Sequence, residues 1–394
     1  MSGWFPPWLP IFSLLVGVIT VLHVYVWARM VHATGRGRGW RWGGGVLLLA
    51  LALTIPATFL IGRDQPFPGW QALIWVAYIW MGVIGLLFSV QFGADLLRWL
   101  GGAALRFMPS RHGAPDPARR AYLSRLVAGA VAFGTMGVSA FAARAAARPP
   151  QLRKLQVALA RLPASLSGTT IAQISDLHVG VTVGRDYVED VVNRVNALEP
   201  DIIAVTGDLV DGDAFHLRGE VASMTELKAP MGVFFVTGNH EYYSGVGPWL
   251  AQIQSMGMRV LRNEWVSIGT GGDSFCLAGV YDSSFQAVAQ GHGADVARAL
   301  QGVPAGKEIV LLAHQPKEIF AAAKHGVGLQ LSGHTHGGQV WPFTWIVHLI
   351  QPYVAGLARH GKTQIYVSSG TGHWGPPMRL GTSSEITLIE LVRG

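Results

Sequence analysis

Cysteine is nearly absent from this 394-residue chain: the single Cys276 excludes an intramolecular disulfide and any cluster of thiolate metal ligands. Charge is scarce too. Asp, Glu, Lys and Arg make up 13% of the residues against 50% hydrophobic ones, too apolar a balance for one water-soluble globule of this size. Lysine is missing altogether from residues 1–150, which hold thirteen arginines and three acids for a net charge of +10, whereas residues 151–394 carry −3. The basic character therefore belongs to the apolar part of the chain. Its arginines lie beside apolar runs, where they serve to orient membrane proteins, so no nucleic-acid partner is expected.

What is there begins with three apolar runs, Ile11 to Trp27, Val46 to Ile61 and Leu73 to Val90, each near the ~20 residues that cross a bilayer. The second contains Pro56 and reads either as a span or as a buried or re-entrant helix. A fourth run, Leu126 to Ala142, is rich in Ala and Gly and only mildly apolar. The expectation is an all-α membrane domain over residues 1–148, with four spans at about 11–31, 45–62, 71–92 and 124–143 and the lipid bilayer as its partner. Arg29, Arg36, Arg38 and Arg41 follow the first span, and Arg98, Arg106, Arg111, Arg119, Arg120 and Arg125 lie between the third and fourth. Both loops are expected in the cytoplasm, with Gly62 to Trp70 and everything after the fourth span on the other side of a bacterial inner membrane. Arg119-Arg120 before the weak run, with Ala143-Arg144-Ala145-Ala146-Ala147 after it, reads equally as an internal twin-arginine export signal or as the same charge bias.

From Pro149 the pattern becomes short apolar runs alternating with amphipathic ones, the mark of an α/β domain over residues 149–394. Strands are expected at Ile171 to Ile174, Ile202 to Val205, Val233 to Val236, Ile309 to Leu312, Leu329 to Leu331, Ile365 to Val367 and Ile386 to Leu391. A helix is expected over Asp186 to Leu198, where Val188, Val191, Val192 and Val195 fall at helical spacing. Each of the first five strands ends in metal-ligand residue types: Asp176-Leu177-His178, Gly207-Asp208, Gly238-Asn239-His240-Glu241, His314 and Gly333-His334-Thr335-His336. Sites in α/β sheets gather at carboxyl ends of strands, so five distant clusters converge on one rim. Oxygen and imidazole donors without cysteine favour Mn, Fe or Zn. Seven ligands exceed what one ion needs and suit a pair about 3.5–4 Å apart, the spacing that clamps a phosphoryl group. The glycines before Asp208, Asn239 and His334 are expected to permit the turns that aim these side chains inward.

The blocks DLH, GDLVD, GNHE, the lone His314 and GHTH, in that order from about Thr169 to Leu391, resemble the signature blocks of the metallophosphoesterase (calcineurin-like phosphoesterase) superfamily. The tail GTGHWGPPMRLGTSSEI resembles its bacterial YkuE/YaeI-like subgroup. The resemblance implies a four-layer α/β/β/α sandwich, two divalent metal ions, and hydrolysis of a phosphoester by in-line attack of a hydroxide held between the ions. It implies Asp176, His178 and His336 on the first metal, Asp208 as the bridge, and Asn239, His314 and His334 on the second. His240 would stabilise charge and protonate the leaving oxygen, and Asp211 would orient a ligand.

Glu241 fits the family pattern and otherwise positions its loop. His373, Trp374 and Arg379 lie in a Gly/Pro-rich turn that either shapes the substrate end or fills a loop, while Ser368 and Ser369 stand where many relatives carry a basic residue. The apolar stretch Trp341 to Val347 reads as a lip that dips into a membrane interface or holds an acyl chain, or as a buried loop. Trp341, His373 and Arg379 are the candidate substrate contacts. Phosphodiesters or lipid-linked pyrophosphates are favoured, since four spans hold the site beside a membrane. The other reading, a membrane sensor or transport-like module with a phosphoesterase output, calls for ionisable residues within the spans. His23 and Asp95, near span ends, are the chief ones.

Overall fold

A computed structural model describes residues 9–35, 37–60, 69–105 and 116–394. Arg36, Arg106, Arg111 and most of the Gly62 to Trp70 loop lie outside them. The chain divides into two compact units, Met1–Ala143 and Arg144–Gly394.

The first unit consists of α1 (Leu9–Val26), continued by a π-helical turn at Trp27–His32, then α2 (Arg38–Leu60) and α3 (Trp70–Leu105), with most of α4 (Pro117–Ala146). The helices are apolar because little else satisfies a backbone in lipid, and all four are long and apolar enough to cross a membrane. α2 runs unbroken through Pro56 over 23 residues. α3 continues well past residue 92 and reaches about 54 Å at 1.5 Å per residue, longer than a hydrocarbon core. The two ionisable residues singled out in the spans are both paired. Asp95 accepts from Tyr25 Oη at 2.6 Å, from Arg29 Nε at 2.6 Å and Nη2, and from Gln91 Nε2 at 3.2 Å. His23 Nδ1 donates to the Ile19 carbonyl at 2.7 Å, and its Nε2 accepts from Trp80 Nε1 at 2.8 Å.

The second unit has twelve strands among its described residues: β1 (Gln151–Leu159), β2 (Thr170–Ile174), β3 (Ile202–Val205), β4 (Val233–Phe235), β5 (Arg259–Val260), β6 (Glu264–Thr270), β7 (Asp273–Gly279), β8 (Ile309–Leu312), β9 (Leu329–Ser332), β10 (Gly356–His360), β11 (Thr363–Val367) and β12 (Glu385–Arg393). They form two six-stranded sheets in the orders β1-β12-β2-β3-β4-β5 and β10-β11-β9-β8-β7-β6. β2 to β5 are parallel neighbours in the first, as are β7, β8, β9 and β11 in the second.

Alternation along each strand divides its side chains between two cores. Ile202 and Ala204 of β3 pack between the sheets with Val310 and Leu312 of β8 and Leu329 and Leu331 of β9. Ile203 and Val205 face outward onto Val188, Val191, Val192 and Val195 of α5 (Arg185–Asn196). On the far side Ile309 and Leu311 meet Val296, Ala299 and Ala322. The result is the α/β/β/α sandwich, with its central strands buried on both faces.

Candidate metal centre

β2, β3 and β4 of one sheet and β8 and β9 of the other end at a common rim. Across it, His314 Nε2 lies 3.1 Å from Asp208 Oδ2, and His178 Nε2 lies 3.0 Å from His336 Nε2 and 3.8 Å from Asp208 Oδ2. His336 Nε2 is 3.5 Å from Asp176 Oδ1, and His334 Nδ1 is 3.3 Å from His314 Nε2. Asp176, His178 and His336 bring donor atoms within 4.8 Å of one another, as do Asp208, His314 and His334, and His178, Asp208 and His240. Six of the seven expected ligands are thus clustered, and the seventh, Asn239, is buried next to His240 in sequence with its Oδ1 without a hydrogen-bond partner.

The backbone is bent to achieve this. Asp176, His178, Asp208, His334 and His336 all have φ between 50° and 72°, a left-handed conformation that costs energy for residues other than glycine. Five of the eight such non-glycine residues among those described are therefore candidate ligands. The expected role of the glycines holds only in part. Gly207 has φ +89°, but Gly238 and Gly333 are required for space: a Cβ would meet Asp208 Oδ1 at 2.1 Å from the former, and Ser175 Oγ at 2.0 Å from the latter.

Behind the donors, His314 Nδ1 donates to the Thr206 carbonyl at 2.8 Å, leaving Nε2 as its lone-pair nitrogen when neutral. Asp211 Oδ1 accepts from His178 Nδ1 at 3.1 Å and from His240 Nδ1, so one carboxylate orients both a candidate ligand and the neighbouring imidazole. Glu241 accepts from the backbone N–H groups of Gly238, Asp208 and Leu209 at 2.6, 3.1 and 2.8 Å. It ties the loop after β3 to the loop after β4. Burial, with Asp208 close by, pushes its carboxyl up to about 7.

The donor set fits divalent cations. Burial opposes charge on Asp208, yet the imidazoles of His314, His240 and His178 hold its carboxyl well below the usual range; Asp208 in turn holds His314 well above the usual imidazole value despite burial. Burial, then the charge on neighbouring histidines, keeps His334 neutral down to about 3 and His336 well below its ordinary value, so both offer lone pairs rather than protons. Buried Asn239 Oδ1 and His336 Nδ1 have no hydrogen-bond partner, which suits a donor set able to hold cations.

The candidate substrate contacts divide. Arg379 is buried, and its guanidinium donates to the carbonyls of Ser369, Gly370 and Gly372 at 2.8, 3.3 and 2.6 Å. These bonds hold the guanidinium inside the turn that the sequence assigned either to the substrate end or to loop filling. His373 is also buried, and burial, then Arg379, lowers it to about 3. Trp341 is exposed, and the stretch after it is no buried loop: Thr344–Ile350 is a helix with no buried residue. Tyr243 and Trp374, both exposed, set their rings 5.1 and 5.8 Å from that of His240. Tyr243 had no signal beyond its adjacency to the GNHE block.

A two-sheet sandwich whose rim collects buried Asp, Asn and His from five strand ends defines a metal-binding hydrolase of phosphoesters. The chain belongs to the metallophosphoesterase family. The calcineurin-like phosphoesterase profile matches residues 169–338. A "Transmembrane protein with metallophosphoesterase domain" from Bos taurus is 39% identical over 334 residues, covering 80% of this chain and 73% of that protein. That match is longer than the whole second unit, so it reaches into the apolar helices as well. An uncharacterised metallophosphoesterase from Helicobacter pylori is 40% identical over 62% of this chain and 64% of its own, and YkuE of Bacillus subtilis is 28% identical over 58% and 81%. The protein is a phosphoester hydrolase with a candidate Asp/His metal site and apolar helices that associate it with a membrane.

Proposed function

We propose that this enzyme cleaves a phosphodiester or a lipid-linked pyrophosphate at a dinuclear centre held beside a bilayer. Asp176, His178 and His336 hold one ion, Asn239, His314 and His334 the other, and Asp208 bridges them, with Mn, Fe or Zn as the metals. The observation that carries this reading is the position of Asp208, whose carboxylate lies within reach of His178 on one side and His314 on the other. Bound ions of this kind neutralise phosphoryl oxygens and make water a nucleophile at neutral pH.

The protein's own residues do the rest. His240 takes part as the proton donor to the leaving oxygen, its tautomer fixed by Asp211, which accepts from Nδ1. Glu241 keeps the loops bearing Asp208 and Asn239 in register. The exposed rings of Tyr243 and Trp374 beside His240 suit a substrate with an apolar portion. The arginine pattern supports an extracytoplasmic catalytic unit in a bacterial inner membrane, anchored over about residues 1–148, which favours lipid-borne substrates over soluble ones.

The test is metal content and hydrolysis of bis-p-nitrophenyl phosphate and p-nitrophenyl phosphate by the purified full chain, wild type against Asp208→Ala. About two ions per chain, and diester turnover that disappears in the variant together with bound metal, are expected. Turnover that survives Asp208→Ala would overturn the bridging role.

A further inference from the structure

Outside the metal site, the least explained surface of the second unit is the segment from Trp341 to Ile350. Water-exposed apolar side chains are ordinary one at a time; here Trp341, Phe343, Trp345, Ile346, Leu349 and Ile350 are all exposed within ten residues, Leu349 at 87% and Trp345 at 66%. The segment is nevertheless firmly rooted. Trp341 N donates to the Leu380 carbonyl at 2.8 Å, and Leu380 N returns a bond to Gln339 at 2.9 Å. A Cβ on Gly338 would meet Thr344 Cα at 2.6 Å, so the helix sits directly on the turn that carries His336.

Charge indicates what covers it. From Ile319 to Ser384 the chain contains neither Asp nor Glu, so no carboxylate flanks the helix in sequence; the exposed Lys324, Arg359 and Lys362 lie at the far end of β9 and β11, away from the rim that carries it. An exposed aromatic and aliphatic helix in an acid-free stretch suits a surface that is apolar beneath and anionic at its face. The covalent link makes such a surface available: only residues 147–150 separate the end of α4 from β1, a reach of at most about 18 Å.

We infer that Trp341–Ile350 docks the catalytic unit on an anionic bilayer surface, with Trp345, Ile346, Leu349 and Ile350 entering the headgroup–acyl boundary. Docking holds the His334–His336 turn at the lipid–water interface, where a lipid phosphoester lies. The inference rests on the apolar helices anchoring the chain in a membrane, and it deepens the proposal of a lipid-borne substrate.

The experiment uses the full chain reconstituted in vesicles of equal parts phosphatidylcholine and phosphatidylglycerol. In a Cys276→Ala background, a nitroxide is attached at Leu349→Cys or, as a control, at the exposed Thr225→Cys, and its collisions with oxygen and with a water-soluble nickel chelate are compared. The label at 349 is expected to favour oxygen and the control to favour nickel. Equal nickel access at both sites overturns the inference, as does dipolar broadening at 349 that grows with protein density, which would assign the patch to a second copy of the chain. A functional arm separates this inference from the metal reading. Trp345→Glu with Leu349→Glu should lower turnover of a vesicle-borne diester at least about tenfold, the worth of one buried leucine-sized side chain, while bis-p-nitrophenyl phosphate turnover and metal content stay at wild-type levels. A fall on both substrates would overturn the docking role by making the helix part of the domain's own fold.

Discussion

The helical unit and the sandwich handle polarity in opposite ways. In the first, Leu14, Leu97, Trp99 and Phe133 face outward while His23, Gln91, Thr135 and Ser139 are buried. In the second, the valines of α5 and the central strands are sealed inside, and the buried metal-ligand side chains gather at one rim. Each unit hides what its surroundings would not solvate. Lipid makes the polar groups of the helices the ones to pair, hence the closed Tyr25–Arg29–Gln91–Asp95 network. Water makes apolar groups the ones to bury, and a buried carboxylate is then tolerated only when paired, with histidines as Asp208 is or with backbone N–H groups as Glu241 is. The helix at Thr344–Ile350 stands out because it belongs to the second unit and is dressed like the first.

The largest effect that would sharpen this contrast lies at the rim. His240→Gln should lower kcat by about 10²- to 10⁴-fold on a diester with an alkyl leaving group, the usual worth of a positioned acid, and by far less on a p-nitrophenyl ester, whose leaving oxygen needs no proton. Equal losses on the two would remove His240 from the proton-donor role. Next in size is metal removal. A chelator should destabilise the sandwich by about 4 kcal/mol if the free ion had stood a thousandfold above its Kd, and should leave the helical unit untouched. Calorimetry of the full chain checks this, and a shift of both transitions together would break the division into two independently stable units.

A smaller effect is expected from Asp211→Asn. The carboxylate is shared by His178 and His240, so its loss should weaken metal binding by about 10- to 100-fold and also depress turnover at saturating metal. Metal titration followed by turnover at saturation separates the two. Full recovery of kcat with added metal would mean that Asp211 serves His178 alone.

How much of this was legible follows from burial. β3 and β8 are covered on both faces, so they appear in the sequence as unbroken apolar runs, and the ligand blocks follow them directly. β1 carries a weak pattern because Gln151–Lys154 are exposed at a sheet edge and only Val157 and Leu159 are fully buried; its partner, β12, lies more than two hundred residues away. β6 and β7 form a hairpin whose outer strand is half exposed and carries a weak pattern. At the site, residue types marked the candidate ligands, but burial could not be read from type. The burial of Arg379 under three carbonyls has no counterpart in its residue type, and the exposure of Thr344–Ile350 depends on what fails to pack against it.

The smallest effect expected is the one that most directly tests whether the helices only anchor. Asp95→Asn removes the charge that Arg29 pairs with and keeps an acceptor for Tyr25, within a network confined to the helical unit. If those helices are an anchor, turnover of bis-p-nitrophenyl phosphate by the full chain should be unchanged, with a lower melting temperature of the helical unit as the sole consequence, because Arg29 loses its ion pair. A sensor would behave differently, since α1 and α3 are joined through this ion pair and any signal that shifts them must reach the rim to count as output. A change in kcat at unaltered metal content would therefore make the helical unit a regulator, and the contrast between a passive membrane part and an active aqueous part would give way to a coupled pair.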